Sequence, residues 1–559
     1  TAEETAYRGI VMPADIKLIN QRFESLKQER SSWEDLWRDI RDYCLPDLGC
    51  FSGEDATQGS KRYRKILDAE AIDCADVLAA GLLGGVSSPS RPWLRLTTMD
   101  PDLDKNPAVK EWMTKVQDLL LLYFSKAECY NALHQSYLEL PVFGTACTIV
   151  KPHPEQLISL QNLTIGEYWL AEDDFGKVDT MYRRPSLTAK QMVQQWGFEA
   201  VNNDVRQAFE KDPFARFNVI HAIEPRIERN PDKRDNKNMP WQSVYFQEGV
   251  QDKVLSESGF RNFPALCPRW MTSGGSVYGR GPGAKALSAQ KSLQRLHLRL
   301  AELVDYGTRP PILYPSTLKD QLSQFKPGGR VAVNPQEAPI IRSMWEVRTD
   351  PQAMLALIQS TRQDIQRIFF VNVFQMIAAT ANQTDRTATE VQALEQEKVM
   401  MLGPVLERLH TELLDPLVTN AFGFMVEYNM LPEVPEELYG RELSIEYVSV
   451  LAEAQKNASA NGIVRTAQQI GLLAQINPQA VDKLDVDATI DQLADMNGVP
   501  PSLIVTGQKV ALIRQQRAEQ QQAQMQAAQL QQAMTSLKDL GQAADSQGLQ
   551  EAFSEEGAQ

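Results

Sequence analysis

Three glycines within five residues, followed by two serines, stand in "LAAGLLGGVSSPSRPW" at 78–93. Such a stretch could cradle a phosphate, because the backbone N–H groups of a glycine-rich turn converge on an anion at a helix N-terminus. The pattern GxxxxGK[ST] then adds a lysine. No lysine follows Gly84 or Gly85. Ahead of them, "KILDAEAIDCADVLAAGLL" places Ile66, Ala69, Ile72, Ala75, Leu78, Ala79 and Leu82 on one helical face. A helix therefore runs into the glycines, and the carbonyls at its C-terminal end repel phosphate. The expectation is a glycine helix stop followed by an ordered loop.

The other groups capable of chemistry are dispersed. His134, His153, His221, His297 and His410 form neither HxH nor HExxH and stand beside no cysteine, so no metal site is expected from them. "EDD" at 172–174 has the hard oxygen donors that Mg²⁺ prefers, but three acids between strands also make an ordinary solvated turn. Cys44, Cys50, Cys74, Cys129, Cys147 and Cys267 never fall in CxxC spacing, which points to six reduced thiols, most of them in the core. "KRYRK" at 61–65 is the densest basic run, readable as a nucleic-acid contact or as a charged helix start. No GxSxG elbow or kinase motif set occurs, and no catalytic residue, cofactor or metal is expected.

The elements that would position these groups follow from pattern and composition. The 559 residues suffice for about three or four domains. A net charge of −15 makes the surface as a whole repel nucleic acid and anionic membrane, so DNA contact must be local or weak. "DLLLLYF" is too short to span a bilayer, no secretory apolar core opens the chain, and a cytosolic product without membrane contact is expected.

Residues 13–46 read as one long helix, with Ile19, Phe23, Leu26, Trp33, Trp37, Ile40 and Cys44 at 3/4 spacing broken only by Arg30. A further helix reaches about Pro141, and from Thr145 the pattern turns to strands in a meander through "EDDFGK" to "VDTMYRR". "TAKQMVQQWG" is a helical insert capped by Ser186 or Thr188, and strands follow in "FNVIHAIEPRI", "WQSVYFQ" and "DKVLSES". After "SVYGRGPG" comes a strong helix, 283–306, then a proline-rich interval with β-like pieces such as "RVAV" and "PIIRSMWEV". A second helix runs to about Ile377. The two helices would measure about 36 and 40 Å, an antiparallel pair with a small knob at its tip. The polar segment 378–390, "AATANQTDRTATE", separates them from a long helix in which Pro404 and Pro416 predict kinks. The glutamine-rich end, "RQQRAEQQQAQMQAAQLQQAM", is either a long exposed helix or a frayed tail.

Several separated stretches occur in an order that resembles the portal proteins, the head-to-tail connectors of short-tailed bacteriophages (podoviruses). They are "KILDAEAIDCADVLAAGLLGGVSSPSRPWLRL", "VFGTA", "VDTMYRR" with "AKQMVQQWG", "YGRGPGAKAL" through "RPP", and "TATEV" with "LGPVLERLHTELLDPLV". The similarity covers roughly residues 15–450. It implies an α+β, mainly α, portal fold of wing, stem, clip and crown, assembling as a dodecameric ring around a central channel. The wing would take 1–282 and 391–450, with Trp93 buried in a proline-fixed loop and a return strand after the long kinked helix. The stem would be 283–306 and 351–377, the clip 307–350, the tunnel loop 378–390 and the crown 451–559. The crown would end in a helical barrel or a disordered glutamine-rich tail.

In the implied tunnel loop Asn382, Gln383, Thr384 and Asp385 are polar and Arg386 is a lone cation, so twelve loops would form a soft collar around duplex DNA. A plain helix–helix connector is the alternative reading of that loop. Weak, sequence-independent contact suits a conduit, since duplex DNA carries one phosphate charge per ~1.7 Å and firm grip would oppose movement at every step. The resemblance further implies a structural virion protein at one capsid vertex, a conduit in packaging and ejection. Its partners would be terminase, tail adaptor proteins, and the major capsid and scaffold proteins. It would sit at the portal vertex of the virion, and in the host cytoplasm during assembly. The competing readings are a tail adaptor or helical scaffold protein, and a packaging enzyme, which the missing Walker loop disfavours.

Overall fold

Asp15 opens the first helix by accepting hydrogen bonds from the backbone N–H groups of Lys17 and Leu18 (2.9 and 3.4 Å), and α1 (Ile16–Cys44) follows. The computed structural model describes residues 15–51, 62–100, 103, 106–233, 235–250, 253–310, 312–315, 330–334, 336, 342–343, 351–374, 402–441, 443–447, 466, 469–470, 472, 485–496, 505 and 509–526. The chain divides into two units, 1–452 and 453–559.

Arg30, the apparent break in the apolar seam of α1, is a buried member of it. Its guanidinium donates to the carbonyls of Gly166 and Tyr168 (2.9 and 2.7 Å), pairs with Glu34 (2.9 Å) and stacks over Trp169. Buried charge is tolerated here because nearly every donor has an acceptor.

Helix α2 (Glu70–Val86) starts later than the periodicity suggested, leaving Ile66 outside, and it runs through all three glycines to a cap at Ser87. The glycine stop is thus overturned. The buried face Ala71, Cys74, Ala75, Leu78, Ala79 and Leu82 holds the helix despite glycine's low propensity. Gly81 has a packing reason, since a Cβ there would overlap the ring of Phe374. The chain then passes Pro92 and a buried Trp93, stacked between Phe124 and Tyr447, into β1 (Leu94–Thr98).

The helical run expected up to Pro141 is two helices, α3 (Pro107–Lys126) and α4 (Cys129–Phe143), separated where Glu128 takes a positive φ of 51°. The expected single meander is likewise two sheets. Strands β2 (Cys147–His153) and β3 (Leu157–Leu163) pair with each other and, further on, β2 takes β10 (Ala265–Leu266). Strands β4 (Tyr168–Glu172) and β5 (Val178–Arg183) join β7 (Arg216–Pro225), β8 (Trp241–Gln247) and β9 (Val254–Phe260), all neighbours antiparallel, in the order β4-β5-β7-β8-β9. A turn at Thr164–Glu167 redirects the chain from one sheet to the other, held by Cys50, whose N–H donates to the Ile165 carbonyl (2.9 Å).

Short β6 (Ser186–Thr188) leads into α5 (Ala189–Trp196), where Thr188 and Gln191 form a capping box. Helix α6 (Asn203–Lys211), which no sequence pattern announced, packs beside α5 over an apolar cluster with Met192 and Val205.

Helix α7 (Pro282–Thr308) and α8 (Pro351–Ile368) pack along each other. Between them lie β11 (Ile312–Pro315), parallel to β12 (Arg330–Val333) and antiparallel to β13 (Arg342–Ser343). The expected unbroken helix to 377 instead ends at Ile368, because Phe370 adopts φ 58°; a helical turn resumes over 371–374. The proline-bearing helix is described from 402. A π-helical turn, His410–Leu414, precedes α9 (Asp415–Glu427) and absorbs the hydrogen bond that Pro416 lacks. The chain returns in β14 (Leu443–Tyr447), antiparallel to β1 with Leu94 opposite Tyr447. One core joins α1 to α4, β2, β3 and the helix 402–427 around Trp37, Trp93 and Phe143.

In the second unit α10 (Val486–Met496) and a largely exposed helix over 509–526 are described, joined by a bidentate pair from Arg514 to Asp487 (both 2.6 Å). The start of the glutamine-rich stretch is thus helical.

Candidate functional site

The helical pair α7/α8 is rooted in the body by two sets of residues, and a third braces the body beneath them. The first is a backbone interlock. Gly144, in "VFGTA", ends α4 with φ 86°, and a Cβ there would overlap the carbonyl of Gly279 in "YGRGPG". A Cβ on Gly283, in the first turn of α7, would overlap the carbonyl of Val142. Thr145 locks the approach: its Oγ1 accepts from the Gly279 N–H (2.9 Å), and Gly144 accepts from the Trp270 N–H (2.9 Å). Pro282 then supplies the fixed φ with which α7 begins. Two motifs some 135 residues apart are therefore the two halves of one seat.

The second set surrounds Asp68, buried just ahead of α2. Arg362 of α8 donates to its Oδ2 through Nε and Nη2 (3.0 and 2.8 Å), and His297 Nε2 of α7 lies 2.6 Å from the same oxygen. Gln294 reads the backbone there: its Oε1 accepts from the N–H groups of Leu67 and Asp68 (2.6 and 2.9 Å), while its Nε2 donates to the Asp68 carbonyl (2.8 Å). Gln290 donates to the carbonyls of Tyr43 and Asp68 (both 3.1 Å), and Gln366 donates to Glu70 (2.7 Å). Both helices of the pair thus hold one short segment of the body through charge-assisted bonds.

The third set centres on Arg269. It donates to Glu412 in the π-helical turn (Nη2 to Oε1, 2.7 Å), to Glu172 (2.9 Å) and to the Gly176 carbonyl (2.6 Å). This buried guanidinium joins the helix 402–427 to the β4–β5 hairpin.

The residues singled out earlier fall as follows. Asn382, Gln383, Thr384, Asp385 and Arg386, with the whole of 378–390, lie outside the described residues. Glu172 is held by Arg269, and Asp173 closes its own turn by accepting from the N–H groups of Phe175 and Lys177 (both 2.9 Å). His221 is buried: it accepts at Nδ1 from Arg183 Nε (2.9 Å), faces Ser243 Oγ with Nε2 (2.9 Å) and stacks on Tyr245. Burial, and then the Arg183 charge, hold its pKa well below the usual imidazole range, so it is a neutral packing residue. In the basic run, Arg62 donates to the carbonyls of Pro46 and Asp47, Tyr63 bonds Asp47, and Lys65 pairs with Asp42 (2.7 Å). Those groups serve the chain's own surface. The six cysteines are free thiols, five of them buried. No helix among the described residues is long and apolar enough to cross a membrane.

Sequence reasoning missed Asp68, Gln294, Arg362 and Arg269. Polar residues on the buried side of "SAQKSLQRLH" were the available signal, since buried glutamines need partners.

A helical pair seated by interlocked glycines is gripped by a buried carboxylate. The chain belongs to the family of bacteriophage head to tail connecting proteins, whose sequence model matches residues 16–505. Among its relatives, a probable portal protein of Bordetella phage BPP-1 is 44% identical over 508 residues, 90% of this chain and 91% of that protein. The portal protein of Salmonella phage epsilon15 is 39% identical over 510 residues, with the same coverage. Among solved structures, a chain from the neck of an empty gene transfer agent particle aligns at 11% identity and a TM-score of 0.37. It covers 78% of this chain and 91% of that one. A chain from the native gene transfer agent virion aligns at a TM-score of 0.33 and 11% identity, over 77% and 90%. The function is that of a portal, the connector at the head–tail junction of a phage particle, with capsid and tail as its neighbours.

Proposed function

We propose that twelve copies close into a ring at one capsid vertex, that double-stranded DNA passes through its centre in packaging and ejection, and that the protein is structural, not an enzyme. In this reading α7 and α8 are the stem, 307–350 the clip, 378–390 the tunnel loop, 391–450 a return to the wing begun by 1–282, and 451–559 the crown. The stem is read as 283–306 and 351–377. Terminase and tail adaptors dock at the clip, capsid and scaffold proteins surround the wing, and assembly takes place in the host cytoplasm.

The observation that carries the reading is the rooted helical pair. It has six Lys and Arg (285, 291, 295, 299, 362 and 367) against three carboxylates (302, 305 and 364), in a chain of net charge −15, and three of the six, Lys291, Arg362 and Arg367, are already ion-paired within the chain. A modest local excess of cations attracts a polyanion without gripping it at every phosphate. In the tunnel loop Arg386 adds one cation per subunit among Asn382, Gln383, Thr384 and Asp385.

Mass and shape test the ring. Light scattering and negative-stain imaging, with scaffold protein present, are expected to give twelve copies of 62.8 kDa, about 750 kDa, around a hole. A monomer persisting with scaffold would favour the adaptor reading. Replacing Arg386 by alanine and trimming 381–387 is expected to impair DNA retention; unchanged packaging and retention would reduce the loop to a connector.

A further inference from the structure

Two stripes of charge on the first unit make no ion pair or hydrogen bond among the described residues. On α7, the side opposite the buried Ala286, Gln290 and Leu293 carries Lys285, Arg295 and Arg299, all exposed. Among the described residues these three make no ion pair or hydrogen bond, while their neighbour Lys291 pairs with Asp39 (2.7 Å). Leu298, 50% exposed, lies between the two arginines. On α2, the side opposite its buried face carries Asp73, Asp76, Ala80 and Gly84 at the same helical spacing. Neither aspartate has an ion pair or hydrogen bond among the described residues. The two carboxylates stand one turn apart, with His134 the one histidine acting on Asp76 among the described residues. Partial burial and then the Asp73 charge raise the carboxyl of Asp76 above its ordinary range.

Gly84 gives an independent indication. It lies inside the last turn of a helix, where glycine is the least favourable residue after proline, yet a Cβ there would meet nothing within 4 Å. Packing among the described residues gives no reason for a glycine at this position, unlike Gly81. Close approach of another backbone does.

The stripes lie on different helices. Helix α2 packs inward chiefly on α4 and α8, and α7 packs inward on α1, α4 and α8, while Gln294 holds Leu67 and Asp68 just ahead of α2, so the two charged sides are separate outer surfaces. They also lie at one level: Arg295 follows Gln294, and Asp73 is one turn into the helix that Asp68 precedes. Complementary surfaces on two separate helices of one chain can make a heterologous contact between copies, which closes into a ring when repeated about an axis.

We infer that the outer face of α7 in one copy packs on the outer face of α2 in the next, with Arg295 and Arg299 against the partner subunit's Asp73 and Asp76. Leu298 covers the small side chains at the partner subunit's Ala80 and Gly84. This rests on the ring reading above. The alternative use of the cations is contact with DNA, and the experiment separates the two.

Two variants are made, Arg295→Glu with Arg299→Glu, and Asp73→Arg with Asp76→Arg. Each is assembled with scaffold beside the wild type, and rings are counted by imaging and sized by light scattering. Each variant alone juxtaposes like charges at every contact, and ring yield is expected to fall about tenfold or more while monomers melt as the wild type does. A one-to-one mixture restores opposite charges at both kinds of contact when the variants alternate, so rings are expected to return. Rings from either variant alone at wild-type yield overturn the interface, and loss of DNA retention in such rings assigns Arg295 and Arg299 to DNA. Folded variants that fail to assemble even when mixed also overturn it. A wild type that stays monomeric overturns the ring and the interface together.

Discussion

The two halves of α7 are one continuous helix in two different environments. From Pro282 to Gln294 the helix buries Gly283, Ala286, Gln290, Leu293 and Gln294 against the body. From Arg295 to Thr308 no residue is fully buried: His297 reaches Asp68 and Leu296 and Leu300 pack against the edge of the core, while Leu298 and Val304 are 50% and 54% exposed. The first half is fixed by contacts within the chain. The second is helical through residues of good propensity and through its contact with α8, and its exposed leucine and valine suit a neighbour more than water. Stability of the single chain and stability of an assembly are therefore written on successive turns of one element.

The comparison breaks most sharply at the seat. Gly283→Val drives two methyl groups toward the Val142 carbonyl, which the interlock with Gly144 and Gly279 leaves no room to move. A loss of at least about 4 kcal/mol is expected, by overpacking and backbone strain together. Denaturant unfolding of the monomer checks it, and a soluble, normally stable Gly283→Val chain would show that the seat yields. Leu293→Ala, one turn before the helix leaves the body, is expected to cost about 3 kcal/mol, since Leu293 is fully buried in the main core.

The body also holds a pH-dependent element. Glu139 on α4 is buried, accepting from the Ile165 N–H (3.2 Å) and from Gln135 (3.4 Å), and burial pushes its carboxyl up to about 8. A carboxyl raised in the folded state binds its proton more tightly there than in the unfolded chain. Folding is then favoured at low pH, and stability falls as pH rises from about 4.5 towards about 8. The slope is at most about 1.4 kcal/mol per pH unit. Glu139→Gln is expected to flatten the profile over this window. An unchanged slope in urea unfolding at pH 5, 6, 7 and 8 would place the dependence elsewhere.

Much of the scaffold was legible because its signals are local. Thr188 and Gln191 announce a capping box three residues apart, the apolar seam of α1 repeats every three or four residues, and Trp93 sits where Pro92 leaves no helix. What escaped depends on residues distant in sequence. Arg30 looked like a fault in the seam because its acceptors, Gly166 and Tyr168, lie far along the chain. The pairing of β1 with β14 joins segments from opposite ends of the first unit, and no alternation within either strand names the other. The glycines of α2 were read as a stop because glycine ends helices more often than it lies within them, yet a strong buried face carried the helix past them. At the root of the helical pair, "VFGTA" and "YGRGPG" were visible as motifs, but that each explains the other's glycines required the fold.

Gly84→Ala should sharpen the comparison in the opposite direction. With open space at its Cβ, alanine is expected to stabilise the monomer by about 0.5–1 kcal/mol, by restricting the unfolded chain. If the outer face of α2 is a subunit contact, the same change weakens ring formation, so melting temperature and ring yield move apart. A parallel rise in both would remove the glycine from the interface.

The smallest expected effect is the most telling about α7. Leu298→Ala makes the same chemical change as Leu293→Ala, five residues further along the same helix. In the monomer it removes a side chain that is already half in water, and alanine is slightly the better helix former, so stability is expected to stay within about 0.5 kcal/mol of wild type. A loss near that of Leu293→Ala would mean that the projecting half is buried by its own chain in solution. A near-zero change in the monomer, with reduced ring yield, would place the value of Leu298 in the contact between copies.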